Sequence, residues 1–168
     1  CVYKGSEGDF ARLQHGLPPG NCSHGIDRTT VDITNRLNSE MRKNAEYLRE
    51  YRIEKGFVNA VKEFVVNVKT GGNWDFKNQR AWKFSENVTY YYNGSVIRQD
   101  DIGNIHYGYV GRELFGVGTL LVGGGLYQIK TDFPNIQWNH FYSVFDDPRD
   151  QMMVIVGTIL WDKDNGNL

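Results

Sequence analysis

The chain has 168 residues, 40% hydrophobic and 23% charged, with a formal net charge of −1. That length fits one domain with a sizeable core, and the composition excludes a disordered chain. The near-neutral charge, with no basic run, excludes a whole-chain pull toward nucleic-acid phosphates. No apolar run reaches the ~20 residues of a membrane helix, so no membrane partner is expected.

The chain begins at Cys1, without Met and without a signal peptide, and reads as a processed protein or trimmed domain. Residues 1–28 form the first region, an irregular arm rich in Gly and Pro. Its two cysteines, Cys1 and Cys22, are expected to form a disulfide that tethers the arm, worth roughly 2–4 kcal/mol. The alternative is two unrelated free thiols. A disulfide implies an oxidising compartment, and glycosylation sequons occur at Asn21, Asn87 and Asn93. A secreted, extracellular monomer is therefore expected.

Residues 29–168 form the single catalytic domain. A first helix is predicted around Thr34 to Tyr51, where Leu37, Met41, Ala45 and Leu48 recur at helical spacing. A second follows from Phe57 to Val68, with Ala60, Val61, Phe64 and Val65 on its apolar face. Gly71-Gly72 supplies its C-terminal stop. Residues 87–98 read as a β-hairpin, since Val88–Tyr92 prefers strand and Asn93-Gly94 is the turn pair that tolerates positive φ. From Tyr109 to Lys130 the glycine-rich apolar run suggests short, closely packed helices. Residues 131–146 read as a loop. A last helix starts at Asp147-Pro148, with Asp147 as N-cap and Met152, Ile155 and Ile159 as its buried stripe. The class is α+β: mainly helical, with a small hairpin or sheet and no βα alternation.

Ten Tyr, nine Phe and four Trp supply either a core or the aromatic walls of a carbohydrate cleft. The four histidines have no metal-ligand spacing, and there is no C-x-x-C pair, nucleophile elbow or phosphate-binding glycine loop. No metal or cofactor is expected, which leaves acid–base chemistry by carboxylates and histidine. Three segments concentrate those groups. In Gly71–Lys77, Asp75 lies between Trp74 and Phe76, which would desolvate it as a general acid requires. The alternative is a turn Asp paired with Lys77. Asp100–Gly111 holds Asp100, Asp101, Asn104, His106, Tyr107 and Tyr109 among glycines that allow close approach to a ligand. The alternative is a hairpin edge with solvated acids. In Asp146–Gln151, Asp147 reads as a cap, while Asp146 and Arg149 either line a site or lock the helix by an ion pair.

Gly71–Lys77, Gly103–Gly108, Gln128 and Asp146–Gln151 together resemble the bacterial polymorphic toxin type 44 domain. Its members carry G-G-P-W-D-Y-K-like, G-N-F-x-Y-G-like and D-D-P-R-D-Q runs, and the order and spacing match over about residues 35–160. The chain departs at Asn73, where proline is usual, and adds the tyrosine-rich hairpin and the cysteine arm. The resemblance implies a ribonuclease toxin, with His106 as base, Lys77 as the phosphate-facing cation and Tyr107 assisting. The helix, polar turn and hairpin also resemble a lysozyme-like arrangement, as in secreted fungal muramidases. That resemblance implies hydrolysis of the β-1,4 bond after N-acetylmuramic acid in bacterial peptidoglycan. Asp75 would be the acid and Asp101 or Asp100 the second carboxylate. Trp74, Lys77, Asn104, His106, Tyr107, Tyr109, Asp146 and Arg149 would contact substrate. The two carboxyls must then lie about 5–5.5 Å apart for retention or about 6.5–9.5 Å for inversion. The muramidase leads these expectations. Nucleic acid is the substrate only in the ribonuclease alternative, and a non-catalytic module that binds wall glycan through its tyrosines is a third.

Overall fold

The computed structural model describes residues 29–122 and 147–168. The arm 1–28 with the Cys1–Cys22 pair and Asn21 lies outside them, as do Gln128, the 131–146 loop and Asp146.

A short strand β1 (Thr29–Asp32) leads into the long helix α1 (Thr34–Lys55). The sequence pattern holds no expectation of β1, whose residues are all exposed. Asp32 ends it by accepting the Thr34 backbone N–H at 2.8 Å, which satisfies one of the unpaired donors at the helix start. Leu37, Met41, Ala45 and Leu48 form the buried stripe of α1 as the spacing predicts. The helix runs one turn beyond Tyr51 and stops at Gly56, whose φ of +83° only glycine adopts without strain.

Helix α2 (Phe57–Val68) folds back against α1. Ala60, Val61, Phe64 and Val65 are buried, whereas Phe57 is exposed. Burying each of the three larger side chains contributes about 1.5–3 kcal/mol. A turn and a 3-10 segment (Arg80–Trp82) connect α2 to the hairpin of β2 (Val88–Tyr92) and β3 (Ser95–Val96). Asn93 and Gly94 have φ of 49° and 76°, as the two-residue turn requires. The sheet has the order β1-β2-β3. In it β1 runs parallel to β2, with Thr29 opposite Val88, and β3 runs antiparallel, with Tyr91 opposite Val96.

Residues Gln99–Gly111 form a helix, α3, rather than a hairpin edge or a ligand loop. A short helix α4 (Val117–Val122) follows, and α5 (Pro148–Asp164) closes the described chain. The glycines of α3 serve helix packing. A Cβ on Gly108 would lie 2.1 Å from the Val154 carbonyl oxygen of α5, and one on Gly157 would lie 2.1 Å from the Ile105 carbonyl oxygen of α3. This glycine-to-backbone contact, and not a Met/Ile stripe, sets the buried face of α5. Val154, Gly157 and Thr158 are inside, while Met152 and Ile159 are 55% and 49% exposed. Asp147 caps α5 as expected, accepting the Arg149 backbone N–H at 2.9 Å with Pro148 in the first turn. Mainly helical with one small sheet, the protein is α+β. Among the described residues, no helix is long and apolar enough to cross a membrane.

Candidate functional site

The three chemistry-bearing segments meet around the N-terminal half of α3. The turn after α2 is built by its own polar groups. Gly71 has φ +79°, and a Cβ on Gly72 would lie 2.2 Å from the Asn67 carbonyl oxygen, so both positions demand glycine. Asp75 is buried in this turn. Its Oδ2 accepts the Gly71 backbone N–H and the Asn78 side-chain amide, each at 2.8 Å. Lys77 makes no ion pair with it. The carboxylate therefore braces the turn, which is the turn-Asp alternative without the lysine. Asn73, standing where the family pattern has proline, donates to Asn67 Oδ1 at 3.2 Å and ties the turn to α2.

The braced turn inserts Trp74 and Phe76 over α3, with ring centroids 5.7 and 4.4 Å from that of His106. His106 has 0% exposure. One ring nitrogen, Nε2, meets the Asn44 side-chain amide at 2.9 Å, and Nδ1 has no hydrogen-bond partner among the described residues. Burial pushes its pKa down to about 3, so the ring is neutral at physiological pH. A sealed, neutral imidazole cannot meet a substrate or solvent proton directly. His106 is a core residue in the described structure, and the expected base role has no access route there.

Asp101 is also committed. It is 1% exposed, and its Oδ1 and Oδ2 accept Arg149 Nε at 2.9 Å and an Arg149 terminal amine at 2.5 Å. Oδ2 further accepts the Arg98 backbone N–H at 2.7 Å, capping α3. A bidentate pair with this burial is the helix-locking reading of Arg149, and it docks the start of α5 onto the start of α3. The expected facing pair of Asp75 and Asp101 is thus replaced by two structural carboxylates in separate settings.

A different acid occupies the junction. Asp150, one turn into α5, accepts the Asn104 side-chain amide at 2.8 Å. Its pKa is raised by partial burial first and by the charges of Asp147 and Asp100, against the pull of the Asn104 hydrogen bond and Lys77. Lys77 is exposed at the tip of the braced turn, and its carbonyl oxygen accepts the Gln99 side-chain amide at 3.4 Å. Asp100 is exposed, with no hydrogen bond or ion pair among the described residues. Asn104 therefore touches Asp150, and the charges of Asp100 and Lys77 act on it, so the expected residues bear on an acid that the sequence reading did not single out. The signal was present in the Asp146–Gln151 run, but a cap motif alone does not separate a dipole-facing Asp from a site Asp.

The tyrosines lie elsewhere. Tyr107 packs 5.3 Å from the Phe64 ring, and burial raises its phenol. Tyr109 donates to Asp164 at 2.8 Å, beside Arg42, near the other end of α5. Asn87 and Asn93 are both exposed on the hairpin. Among the described residues, no cluster of three His, Cys, Asp or Glu side chains is arranged to hold a metal ion.

No curated protein and no solved structure matches the chain, so the fungal muramidase and lysozyme-like resemblances gain no counterpart. The family model described as bacterial toxin 44 matches residues 63–163. That span carries the braced turn, all of α3 and nearly all of α5, and it covers more than half of the chain, which belongs to the bacterial toxin 44 family.

Proposed function

We propose that this toxin-family domain hydrolyses bacterial peptidoglycan as a muramidase, with Asp150 as general acid and Asp100 as the second carboxylate. The observation that carries the reading is the Asn104–Asp150 hydrogen bond at 2.8 Å, which holds one carboxyl at the α3–α5 junction, where the charge of Asp100 also acts on it. A glycosidase needs two acids in unlike environments, one kept protonated and one free. Partial burial and neighbouring negative charge favour the protonated form of Asp150. Asp100 is the exposed partner, while Asp147 is occupied in capping α5. Lys77 and Asn104 would orient the sugar. Such an enzyme acts on the wall outside the cytoplasm, so secretion is part of the proposal.

The ribonuclease reading loses support at two points. Its base, His106, is sealed and neutral. The charges of Asp100 and Asp147 act on Asp150, and such a concentration of acids disfavours a phosphate beside it. The test is clearing of a peptidoglycan suspension by the full chain across pH. Asp150→Asn and Asp100→Asn should each lose clearing by at least about a hundredfold, the size of a general-acid contribution. Clearing retained in both variants would remove the assignment.

A further inference from the structure

A recess lies between the first turns of α1 and residues 73–82. It encloses about 350 Å³, and Arg36, Lys43, Asn44, Asn73, Gln79 and Trp82 are among the residues that line it. Nothing in the muramidase chemistry above uses it. The Arg36 guanidinium carbon lies over the Trp82 ring, 3.9 Å from its centroid, and the group donates to the Ala81 carbonyl oxygen at 2.7 Å. Trp82 is itself backed by Phe76, stacked at 4.8 Å. One of the five guanidinium N–H groups is used, and the ring contact together with that hydrogen bond holds the head group in place. This is a preorganised fork for a planar oxyanion. Lys43, seven residues on, lies two turns along the same face of α1 and adds a second cation. Glu40 also lines the recess, 3.8 Å from Lys43, so the recess carries one net positive charge. Asn44 is engaged with His106, and Gln79 with the Asn73 carbonyl oxygen, which leaves the two cations as the principal recognition groups.

We infer that this recess is a subsite for a carboxylate on the peptide stem of the wall polymer, an inference that rests on the muramidase reading. A guanidinium fork in a recess with one net positive charge matches a single carboxylate. A polyphosphate strand calls for a run of cations, which the recess, with Glu40 beside Lys43, does not offer. The subsite selects a glycan that bears acidic peptides over a neutral chitin-like glycan of the same sugars.

The test is binding by the full chain, followed by tryptophan fluorescence and calorimetry. The probes are a reduced disaccharide–tetrapeptide, the same compound with its carboxyls amidated, chitotetraose, and a short single-stranded RNA. The acidic muropeptide should bind about tenfold tighter than the amidated form or chitotetraose, the worth of one charge-assisted bidentate contact. Arg36→Gln should erase that preference. Lys43→Gln, which leaves the turn contacts intact, should reduce it about threefold. Equal binding of the amidated probe, or unchanged preference in both variants, overturns the inference, as does tighter binding of RNA. Asp150→Asn separates the two readings. If Arg36-dependent binding persists but no chain hydrolyses the wall, the muramidase reading fails alone. If hydrolysis depends on Asp150 while Arg36→Gln binds and cleaves like the parent, the subsite fails alone.

Discussion

Gly157→Ala tests the helix contact that positions the candidate site. An added Cβ would lie 2.1 Å from the Ile105 carbonyl oxygen and 2.7 Å from the Tyr109 nitrogen, both backbone atoms that no rotamer change can move. Restoring ordinary carbon–oxygen separation requires α3 and α5 to part by about 1 Å or more. Alanine favours the helix over glycine by about 1 kcal/mol, and overpacking costs about 1–3 kcal/mol, more where backbone must shift. The clash wins, since its cost lies at the top of that range, with a net loss of about 2 kcal/mol. For a chain of this size that lowers Tm by roughly 4–8 °C. Gly103→Ala is the control: it lies on α3 with nothing among the described residues within 4 Å of its added Cβ. There the propensity gain stands alone, and Tm should rise by a few degrees. Urea and thermal denaturation of the three proteins give the comparison. If Gly157→Ala is stabilised as much as Gly103→Ala, the close α3–α5 packing is wrong, and so is the geometry built on it.

Arg149→Met leaves Asp101 buried without its partner. It should lose about 3 kcal/mol in urea denaturation, the low end for a buried pair because Arg149 is a third exposed. His106 sets an acid-side stability slope. Its folded pKa of about 3 lies below the ordinary 6.5, so the unfolded chain binds the extra proton. Its stabilising effect is full above about pH 6.5 and falls as pH drops toward about 3, by up to about 1.4 kcal/mol per unit. His106→Gln should flatten that slope, and an unchanged slope would place the proton uptake elsewhere. Asp150 works in the opposite sense. Its raised pKa makes ionisation costly in the folded state, so stability declines as pH rises from the ordinary carboxylate value through the raised one. Asp150→Asn should remove that decline, and a decline that persists would show that Asp150 is not its source.

Legibility followed periodicity. Helices α1 and α2 and the Asn93-Gly94 hairpin depend on local spacing and turn chemistry, and the structure keeps all three. The Asp147-Pro148 start of α5 was equally readable from its cap. Helix α3 was not, because Gly103, Gly108 and Gly111 lower helix propensity and suggest a ligand loop. Their use is tertiary: Gly108 and Gly157 let two backbones touch, a contact with no local signature. The same blindness misassigned the face of α5, where a glycine and a threonine are buried and Met152 is not. At the site, the three segments were readable as a set, but the partner of each acid was not. Asp101 next to Asp100 looks identical in sequence, yet one is locked to Arg149 and the other is exposed. Which carboxylate is free depends on the docking of a helix whose Arg149 lies 48 residues along the chain from Asp101.

Mass analysis of the fragments released from purified peptidoglycan by the full chain, beside Asp150→Asn, tests the central claim most directly. The account predicts fragments with N-acetylmuramic acid at the reducing end, released by the parent chain and lost in a variant that stays folded. Fragments ending in N-acetylglucosamine, intact glycan, or undiminished release by Asp150→Asn would contradict it.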